Sequence, residues 1–205
     1  MTAPRPGILL DRDGTIIVDH GYVGSVDRIE FIDGAAEAIA SFNEAGIPVA
    51  VVTNQAGVAR GLYGLDDVAR VHEYIAEYLA KFEARIDLFV YCPYHPAGVV
   101  KAFARTSEDR KPRPGMAKAA QTALNLDLTA SWVVGDRPED MGLAESIGAS
   151  GVFLGPDFPD LTDFPDFTTS NGSNGSNRDG SSRPGVWPFP SLAAAAPFIL
   201  ERITA

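Results

Sequence analysis

Short apolar runs alternate along the first 155 residues with longer segments in which apolar residues recur at helical spacing. The runs are typical of buried parallel strands, and the spaced residues are typical of amphipathic helices. Five strands are predicted, at residues 7–11, 47–53, 86–91, 131–135 and 151–154. Helices are predicted between them, at residues 35–46, 68–82, 115–126 and 140–147. Strands that alternate with helices predict an α/β fold, a Rossmann-like doubly wound parallel sheet.

The longest of these helices is predicted to begin at a capping Asp66 or Asp67. Its predicted buried face is formed by Val68, Val71, Ile75, Leu79 and Phe82. His72 lies beside that face, and we expect it at the surface or at the boundary of the core.

The alternation ends after Gly155. Residues 156–190 are first acidic and then rich in Gly, Ser and Asn, a composition that predicts a mobile loop. Apolar residues return after it and predict a closing helix over residues 191–203. We therefore expect one domain, with residues 1–155 as its core, 156–190 as a loop and 191–205 as the closing helix.

Composition narrows the class of protein and of partner. A chain of 205 residues, 45% of them hydrophobic, can bury a core without disulfides or a structural metal. Its net charge of −10 argues against nucleic acid or an anionic membrane as a partner, but not against a small phosphorylated ligand. Cys92 is the only cysteine, and no signal peptide or membrane span is evident. We expect a soluble cytoplasmic monomer.

Polar residues follow the predicted strands where each one ends, and in open α/β sheets ligands bind at that edge. The first strand ends in Asp11-Arg12-Asp13-Gly14-Thr15 and the second in Thr53-Asn54-Gln55. Arg110 and Lys111 lie in the loop after the third strand. Asp136 and Arg137 follow the fourth strand, with Asp140 close behind.

This set of side chains has a chemical logic. Crowded carboxylates repel one another unless a cation lies among them, and hard oxygen ligands suit Mg²⁺. The metal and Lys111 can neutralise a phosphoryl group, while Asp11 acts as the nucleophile and Asp13 as the general acid and base. A turn with a capping aspartate would explain the first pentapeptide alone. It would not explain the polar residues at three other strand ends.

The segments DRDGT, VVTNQAGVARG, RKPRPGM and VVGDRPEDM resemble, in this order and spacing, the four motifs of the haloacid dehalogenase superfamily of phosphatases. The similarity is greater to the heptose 1,7-bisphosphate phosphatases and the related histidinol-phosphate phosphatases. It covers about residues 7–155. It implies the haloacid dehalogenase fold without a large cap domain.

The resemblance also implies a role for each matching residue. Asp11 would be the nucleophile and Asp13 the acid and base, with Thr53 and Lys111 on the phosphoryl oxygens. Magnesium would be held by the Asp11 side chain, the Asp13 carbonyl and Asp136, supported by Asp140. The implied substrate-binding residues are Asp19, His20, Gly21, Tyr22, Asn54, Gln55, Arg110 and Arg137.

One departure from the family's pattern concerns a zinc-binding loop after the third strand. Members often carry four Cys or His ligands there, and the corresponding positions hold Cys92, Tyr94, Ser107 and Asp109. Because structural zinc needs four good donors, we expect no zinc and a loop that is held by its own packing. The alternative is an improvised zinc site that uses His95, which lies one position away from an expected ligand.

The expected function is that of a Mg²⁺-dependent phosphatase that removes the C7 phosphate of D-glycero-D-manno-heptose 1,7-bisphosphate through an aspartyl-phosphate. Arg110 and Arg137 favour a substrate with a second phosphate over the alternatives, histidinol phosphate or another small sugar phosphate. A remote alternative is a phosphate-binding protein without catalysis. That alternative predicts loss of Asp11 or Asp13, and both are present.

Overall fold

The computed structural model describes residues 3–155, 168–169 and 185–204. Its sheet has seven parallel strands. They are Ile8–Leu10 (β1), Val49–Asn54 (β2), Leu88–Cys92 (β3), Trp132–Gly135 (β4), Ser150–Leu154 (β5), Thr168–Thr169 (β6) and Gly185–Phe189 (β7). The α-helices are Ala35–Glu44 (α1), Ala56–Ala59 (α2), Leu65–Ala80 (α3), Gly115–Leu124 (α4), Pro138–Ile147 (α5) and Leu192–Ile203 (α6).

The strand order is β3-β2-β1-β4-β5-β7-β6, which confirms the predicted doubly wound sheet. The chain runs outward from β1 to β3 and then returns to β4 on the other side of β1. This change of direction between β1 and β4 is the topological switch point, where α/β proteins of this kind bind ligands. Leu10 of β1 pairs with Val134 of β4, so Asp11 and Asp136 follow the two strands that flank this point.

Helices cover both faces of the sheet, which explains why the central strands are apolar throughout. In β1, Ile8 and Leu10 pack with α1, α3 and α6, while Leu9 packs on the opposite face with α4 and α5. Successive strand residues point to opposite faces, so a strand with both faces covered needs apolar residues at every position.

Residues 185–189, which the sequence predicted as part of a loop, form β7 beside β5. The segment is short and contains Pro188, features that argue against a strand in a sequence. Tertiary packing stabilises it instead: Val186 is buried, and the ring of Trp187 lies 5.1 Å from that of Trp132. The rest of the predicted loop, apart from β6 and Pro190, lies outside the described residues.

Two details of α3 also differ from the prediction. The helix begins at Leu65, with Gly64 as its N-cap, so neither Asp66 nor Asp67 is the capping residue. Asp67 instead accepts the Gly64 N–H on Oδ2 at 2.7 Å, since a carboxylate in the third helical position can reach back to the cap. The helix ends at Ala80, before Phe82.

The prediction for His72 was wrong, because the side chain is buried and stacks on Phe89 of β3 at 4.6 Å. Burial lowers its pKa to about 3, and the charge of Arg12 adds to this effect. The four aliphatic residues of the predicted α3 face are fully buried, as expected. None of the helices in the described ranges is long and apolar enough to cross a membrane.

Candidate active site

Asp11 follows β1 at the switch point, where its N–H donates to the Val134 carbonyl at 2.8 Å. Its Oδ1 accepts the N–H of Arg12 at 2.7 Å and lies 3.0 Å from Lys111 Nζ. Within the described part of the chain, Oδ2 accepts no hydrogen bond. One carboxylate oxygen is therefore fixed, and the other is available to react.

Lys111 lies in the loop between β3 and α4, and two sets of contacts hold it. Its backbone N–H donates to Asn54 Oδ1 at 3.1 Å, and its carbonyl accepts Asn54 Nδ2 at 3.3 Å. Its buried Nζ lies 2.6 Å from Asp140 Oδ1 as well as beside Asp11. Burial lowers the pKa of Lys111, but the two carboxylates outweigh this and raise it, so the ammonium stays charged.

Asp11, Asp136 and Asp140 bring carboxylate oxygens within 4.8 Å of one another. Burial raises the pKa of Asp136 to about 6, with a further contribution from the charge of Asp11. Asp136 Oδ1 is buried and has no hydrogen-bond partner among the described residues. A buried carboxylate oxygen without a donor, beside a second carboxylate, fits a divalent cation with oxygen ligands.

Gly14 makes this close arrangement of carboxylates possible. Its φ of 77° is a conformation that side chains disfavour, and a Cβ there would lie 2.1 Å from Asp136 Oδ2. Any larger residue would push Asp136 away from Asp11. Asp140, by contrast, is occupied by protein contacts, since its Oδ2 accepts the Arg137 N–H at 3.0 Å and its Oδ1 pairs with Lys111.

Asp13 is held by a buried polar network that begins with Arg12. The fully buried Arg12 guanidinium donates to Asp13 through Nε at 3.1 Å and through Nη2 at 3.0 Å. Gln55 Nε2 donates to Asp13 Oδ2 at 3.0 Å and to Thr53 Oγ1 at 2.9 Å. Tyr63 completes the network by donating its hydroxyl to Gln55 Oε1 at 2.8 Å.

Burial raises the pKa of Asp13, although Arg12 opposes this effect. A carboxyl group with a raised pKa holds a proton closer to neutral pH, as a general acid requires. Thr53 is also buried, and its Oγ1 accepts from Gln55, which leaves the hydroxyl hydrogen for another acceptor.

A cavity of about 610 Å³ opens over these groups. Twelve of the fourteen predicted site residues line it: Asp11, Asp13, Asp19, Gly21, Tyr22, Thr53, Asn54, Gln55, Arg110, Lys111, Arg137 and Asp140. Asp136 lies beside the cavity in the carboxylate cluster. His20 does not line it, because its ring pairs with Glu30 at 2.8 Å in an exposed position.

Arg137 differs from the expectation that it is free to bind an anion. Its Nη2 lies 2.6 Å from Asp19 Oδ2, and its Nε lies 3.6 Å from Asp136 Oδ2. Asp19 also accepts the Gly21 N–H at 2.9 Å. Burial raises the pKa of Asp19, but the bond from Arg137 and the one from Gly21 more than offset it. Arg137 thus ties the loop after β1 to the start of α5.

Several residues that line the cavity were not predicted as part of the site, above all Arg60 and Tyr63, and His95 was considered only as a zinc ligand. Arg60 lies within the quoted segment VVTNQAGVARG, so a signal was present in the sequence. Tyr63 could be recognised in the sequence only indirectly, because its ring packs against two positions where only glycine fits. A Cβ at Gly57 would lie 2.2 Å from Tyr63 Cε1, and one at Gly24 would lie 2.1 Å from its Cδ1.

The loop after β3 is held by side-chain contacts at the positions where relatives are expected to bind zinc. Cys92 is buried, and its Sγ lies 3.8 Å from the Tyr94 carbonyl. Ser107 Oγ donates to Asp109 Oδ2 at 3.1 Å. The Arg105 guanidinium lies 4.0 Å from the centre of the Tyr94 ring, a cation–π contact.

The fold, with Asp11 paired to Lys111 at the switch point, is that of a phosphatase, and relatives support this class. A family model described as HAD-hydrolase-like (HAD, haloacid dehalogenase) matches residues 109–160. The D-glycero-β-D-manno-heptose-1,7-bisphosphate 7-phosphatase of Yersinia pestis is 45% identical over 150 residues, which are 72% of this chain and 80% of that protein. The chain belongs to the haloacid dehalogenase superfamily of phosphatases.

Two solved structures support this assignment. A HAD-like protein from Mesorhizobium loti is 32% identical, with a TM-score of 0.79, over 98% of this chain and 87% of that one. The D,D-heptose 1,7-bisphosphate phosphatase from B. bronchiseptica, complexed with magnesium and phosphate, is 28% identical, with a TM-score of 0.74. The match covers 96% of this chain and 98% of that chain.

Proposed function

We propose that this phosphatase removes the C7 phosphate of D-glycero-D-manno-heptose 1,7-bisphosphate through an aspartyl-phosphate. The observation that carries the proposal is the pairing of Asp11 Oδ1 with Lys111 Nζ at 3.0 Å at the switch point, which leaves Oδ2 free to attack. The 45% identity to the 7-phosphatase of Yersinia pestis supports this substrate. A small phosphorylated sugar also suits a cavity of about 610 Å³.

In the first half of the reaction, Asp11 Oδ2 attacks the phosphorus atom and the bond from phosphorus to the C7 oxygen breaks. Asp13 donates its proton to that leaving oxygen, so the sugar departs as a neutral alcohol. The Lys111 ammonium and the Thr53 hydroxyl hold the phosphoryl oxygens during the transfer. In the second half, Asp13 takes a proton from water, whose oxygen attacks phosphorus. The bond from phosphorus to Asp11 Oδ2 breaks, which restores the carboxylate and releases inorganic phosphate.

Magnesium is the cation we propose for the carboxylate cluster. The Asp11 side chain, the Asp13 carbonyl and Asp136 would hold it, while Asp140 supports the site through Lys111. The buried Asp136 Oδ1, which lacks a donor among the described residues, supports this arrangement. When bound, the metal supplies positive charge that offsets the repulsion between Asp11 and the phosphate.

We further propose that the enzyme acts in the cytoplasm as a monomer. The single cysteine is buried, and burial raises the pKa of the Cys92 thiol, so the chain neither needs nor readily forms disulfides.

Release of inorganic phosphate from a panel of sugar phosphates tests the proposal, with histidinol phosphate included. We expect the highest kcat/KM for heptose 1,7-bisphosphate and loss of activity in EDTA that returns with Mg²⁺. Preference for histidinol phosphate would overturn the substrate assignment, and full activity in EDTA would overturn the role of the metal.

A further inference from the structure

Two arginines that line the cavity have unpaired nitrogens. Arg60 Nε and Arg110 Nη1 are buried, and neither has a hydrogen-bond partner within residues 3–155, 168–169 and 185–204. Neither side chain forms an ion pair in those ranges, whereas Arg12 and Arg137 both do. Burying a cationic donor without a partner is costly, so these two guanidinium groups are suited to an anionic ligand.

Backbone contacts fix the position of Arg60 relative to the loop after β3. Arg60 directly follows α2, and the carbonyl of the residue before it, Ala59, accepts the N–H groups of Val99 and Val100 at 2.8 and 2.9 Å. Gly98 lies against the same turn, since a Cβ there would be 2.8 Å from Ala59 Cβ. This contact docks the loop that carries His95 and Arg110 onto α2.

The Arg60 guanidinium also lies 5.7 Å from the centre of the Tyr22 ring. Tyr22 belongs to the loop after β1, which the resemblance assigned to substrate binding. A cation–π contact orients a guanidinium without neutralising its charge. Arg60 is therefore positioned between two cavity loops and keeps its hydrogen-bonding capacity.

His95 completes this group. Its Nδ1 accepts the Ala97 N–H at 3.0 Å, so the neutral ring carries its proton on Nε2 and acts there as a donor. Burial lowers the pKa of His95, and the charges of Arg110 and Arg60 lower it further. All three side chains line the cavity. We call Arg60, His95 and Arg110 the arginine group.

We infer that Arg60 binds the phosphate of the substrate that is not transferred, together with Arg110. The inference rests on the proposed function, since it concerns the second phosphate of the same bisphosphate. It replaces Arg137, which is committed to Asp19, with an arginine that the sequence analysis did not select. The transferred phosphate already has Lys111 and Thr53, so the arginine group serves the other anion.

The kinetic test compares Arg60→Ala and Arg60→Lys with wild type on heptose 1,7-bisphosphate and on heptose 7-phosphate. Loss of a charge-assisted hydrogen bond predicts a fall in kcat/KM of about 10- to 100-fold on the bisphosphate, mainly through KM, for Arg60→Ala. We expect a change below about 3-fold on the monophosphate, and partial recovery with Arg60→Lys. Arg70→Ala, an exposed arginine of α3 away from the cavity, is the matched control and changes neither value.

Equal losses on both substrates would show a merely structural role and overturn the inference, as would no loss on either. A binding experiment separates this outcome from failure of the proposed function. Calorimetry with the bisphosphate compares Asp11→Asn with the double variant Asp11→Asn/Arg60→Ala, where no turnover is needed. We expect Arg60→Ala to weaken binding about 10- to 100-fold. If wild type hydrolyses neither sugar, the proposed function fails, but unchanged binding or no binding here would still refute the role of Arg60.

Discussion

Lys111 and Arg110 are adjacent in sequence, yet their side chains belong to two differently built regions of one cavity. Lys111 joins Asp11, Asp13 and Thr53, which we call the aspartate group and in which most polar atoms already have protein partners. Arg110 belongs to the arginine group, where guanidinium nitrogens are buried without partners in the described residues. Under the proposed function, the difference separates side chains that must be fixed before the reaction from side chains that bind the second phosphate.

The two regions also differ in what supports them. Asp11, Asp13 and Thr53 lie at the ends of central strands, whose hydrogen bonds fix the backbone. The arginine group depends on loop contacts, such as those between the Ala59 carbonyl and the N–H groups of Val99 and Val100. Substitutions in the first region are therefore expected to affect the chemical step, and those in the second to affect substrate choice.

The strongest test of this contrast is Asp11→Asn. A carboxamide cannot form the aspartyl-phosphate, so we expect turnover to be abolished on the bisphosphate and the monophosphate alike, while the fold remains intact. Phosphate release measures the activity, and circular dichroism checks the fold. Turnover above a few per cent of wild type would contradict the assignment of the nucleophile.

Asp13→Asn is expected to have the next largest effect. It removes the proton donor and acceptor at nearly constant size, although one oxygen that accepts from Arg12 becomes an amide nitrogen. Loss of general acid–base catalysis lowers kcat about 10²- to 10⁴-fold. The loss is expected on both sugar substrates. Rapid-quench detection of the phosphorylated enzyme gives the control, since a good leaving group, as in p-nitrophenyl phosphate, needs less help from Asp13 in the first step. An unchanged kcat would remove Asp13 from the mechanism.

Arg110→Ala tests the other region. Wild type is expected to have a kcat/KM for heptose 1,7-bisphosphate well above that for heptose 7-phosphate, and the variant to lose most of this gap. Losing a charge-assisted hydrogen bond costs about 1.5–3 kcal/mol, which corresponds to about 10- to 150-fold on the bisphosphate. If Arg110→Ala lowers kcat/KM equally for both substrates, Arg110 supports the chemical step and the contrast with Lys111 fails.

A smaller effect is expected on the pH dependence of the free energy of unfolding, because His72 is buried in the core beneath these regions. Because the pKa of His72 is about 3 in the folded protein and about 6.5 when unfolded, the unfolded chain binds the extra proton as pH falls through 6.5. The wild type then loses up to about 1.4 kcal/mol of stability per pH unit. Urea unfolding at pH 7, 6 and 5 measures this loss, and His72→Leu is expected to show a shallower dependence. Parallel curves for the two proteins would contradict it.

The smallest effect is expected at the loop that carries the arginine group. A bound zinc there would fix this region by metal ligation, but Tyr94, Ser107 and Asp109 contact protein groups instead. We expect well under one zinc per chain by elemental analysis, and a fall in Tm of only a few degrees for Cys92→Ser. One tightly held zinc per chain, lost in Cys92→Ser, would show that His95 and its neighbours have rebuilt the site.

The sequence predicted the aspartate group well because strand ends are local signals. A buried strand followed by Asp11 or by Thr53 is readable without knowing any tertiary contact, and the sheet order then brings the ends together. The structure confirmed the five strands predicted within the first 155 residues, with small changes at their ends. The helix α2 was missed because four residues carry no periodicity.

The parts of the fold and of the site that were not predicted depend mostly on contacts between distant segments, which a single sequence does not reveal. Arg137 and Asp19 are separated by 118 positions, and only the fold shows that they pair. Likewise, β7 is stabilised by Trp132 and Phe198 on other elements, so its own residues look like part of a loop. Arg60 was overlooked for a different reason: it lies within the segment VVTNQAGVARG, but the short helix α2, which places it at the cavity, was not predicted.

The packing of β7 and α6 onto the sheet also makes intrinsic tryptophan fluorescence a probe of this part of the fold. The chain has two tryptophans, Trp132 and Trp187, whose ring centres are 5.1 Å apart, with Phe198 of α6 against both. Neither lines the cavity. Intrinsic tryptophan emission therefore reports on whether the carboxyl-terminal strand and helix are docked, and we expect a red shift when they detach. Substrate titrations followed by the same signal are expected to be nearly silent, so ligand binding in this enzyme calls for calorimetry or an introduced fluorophore.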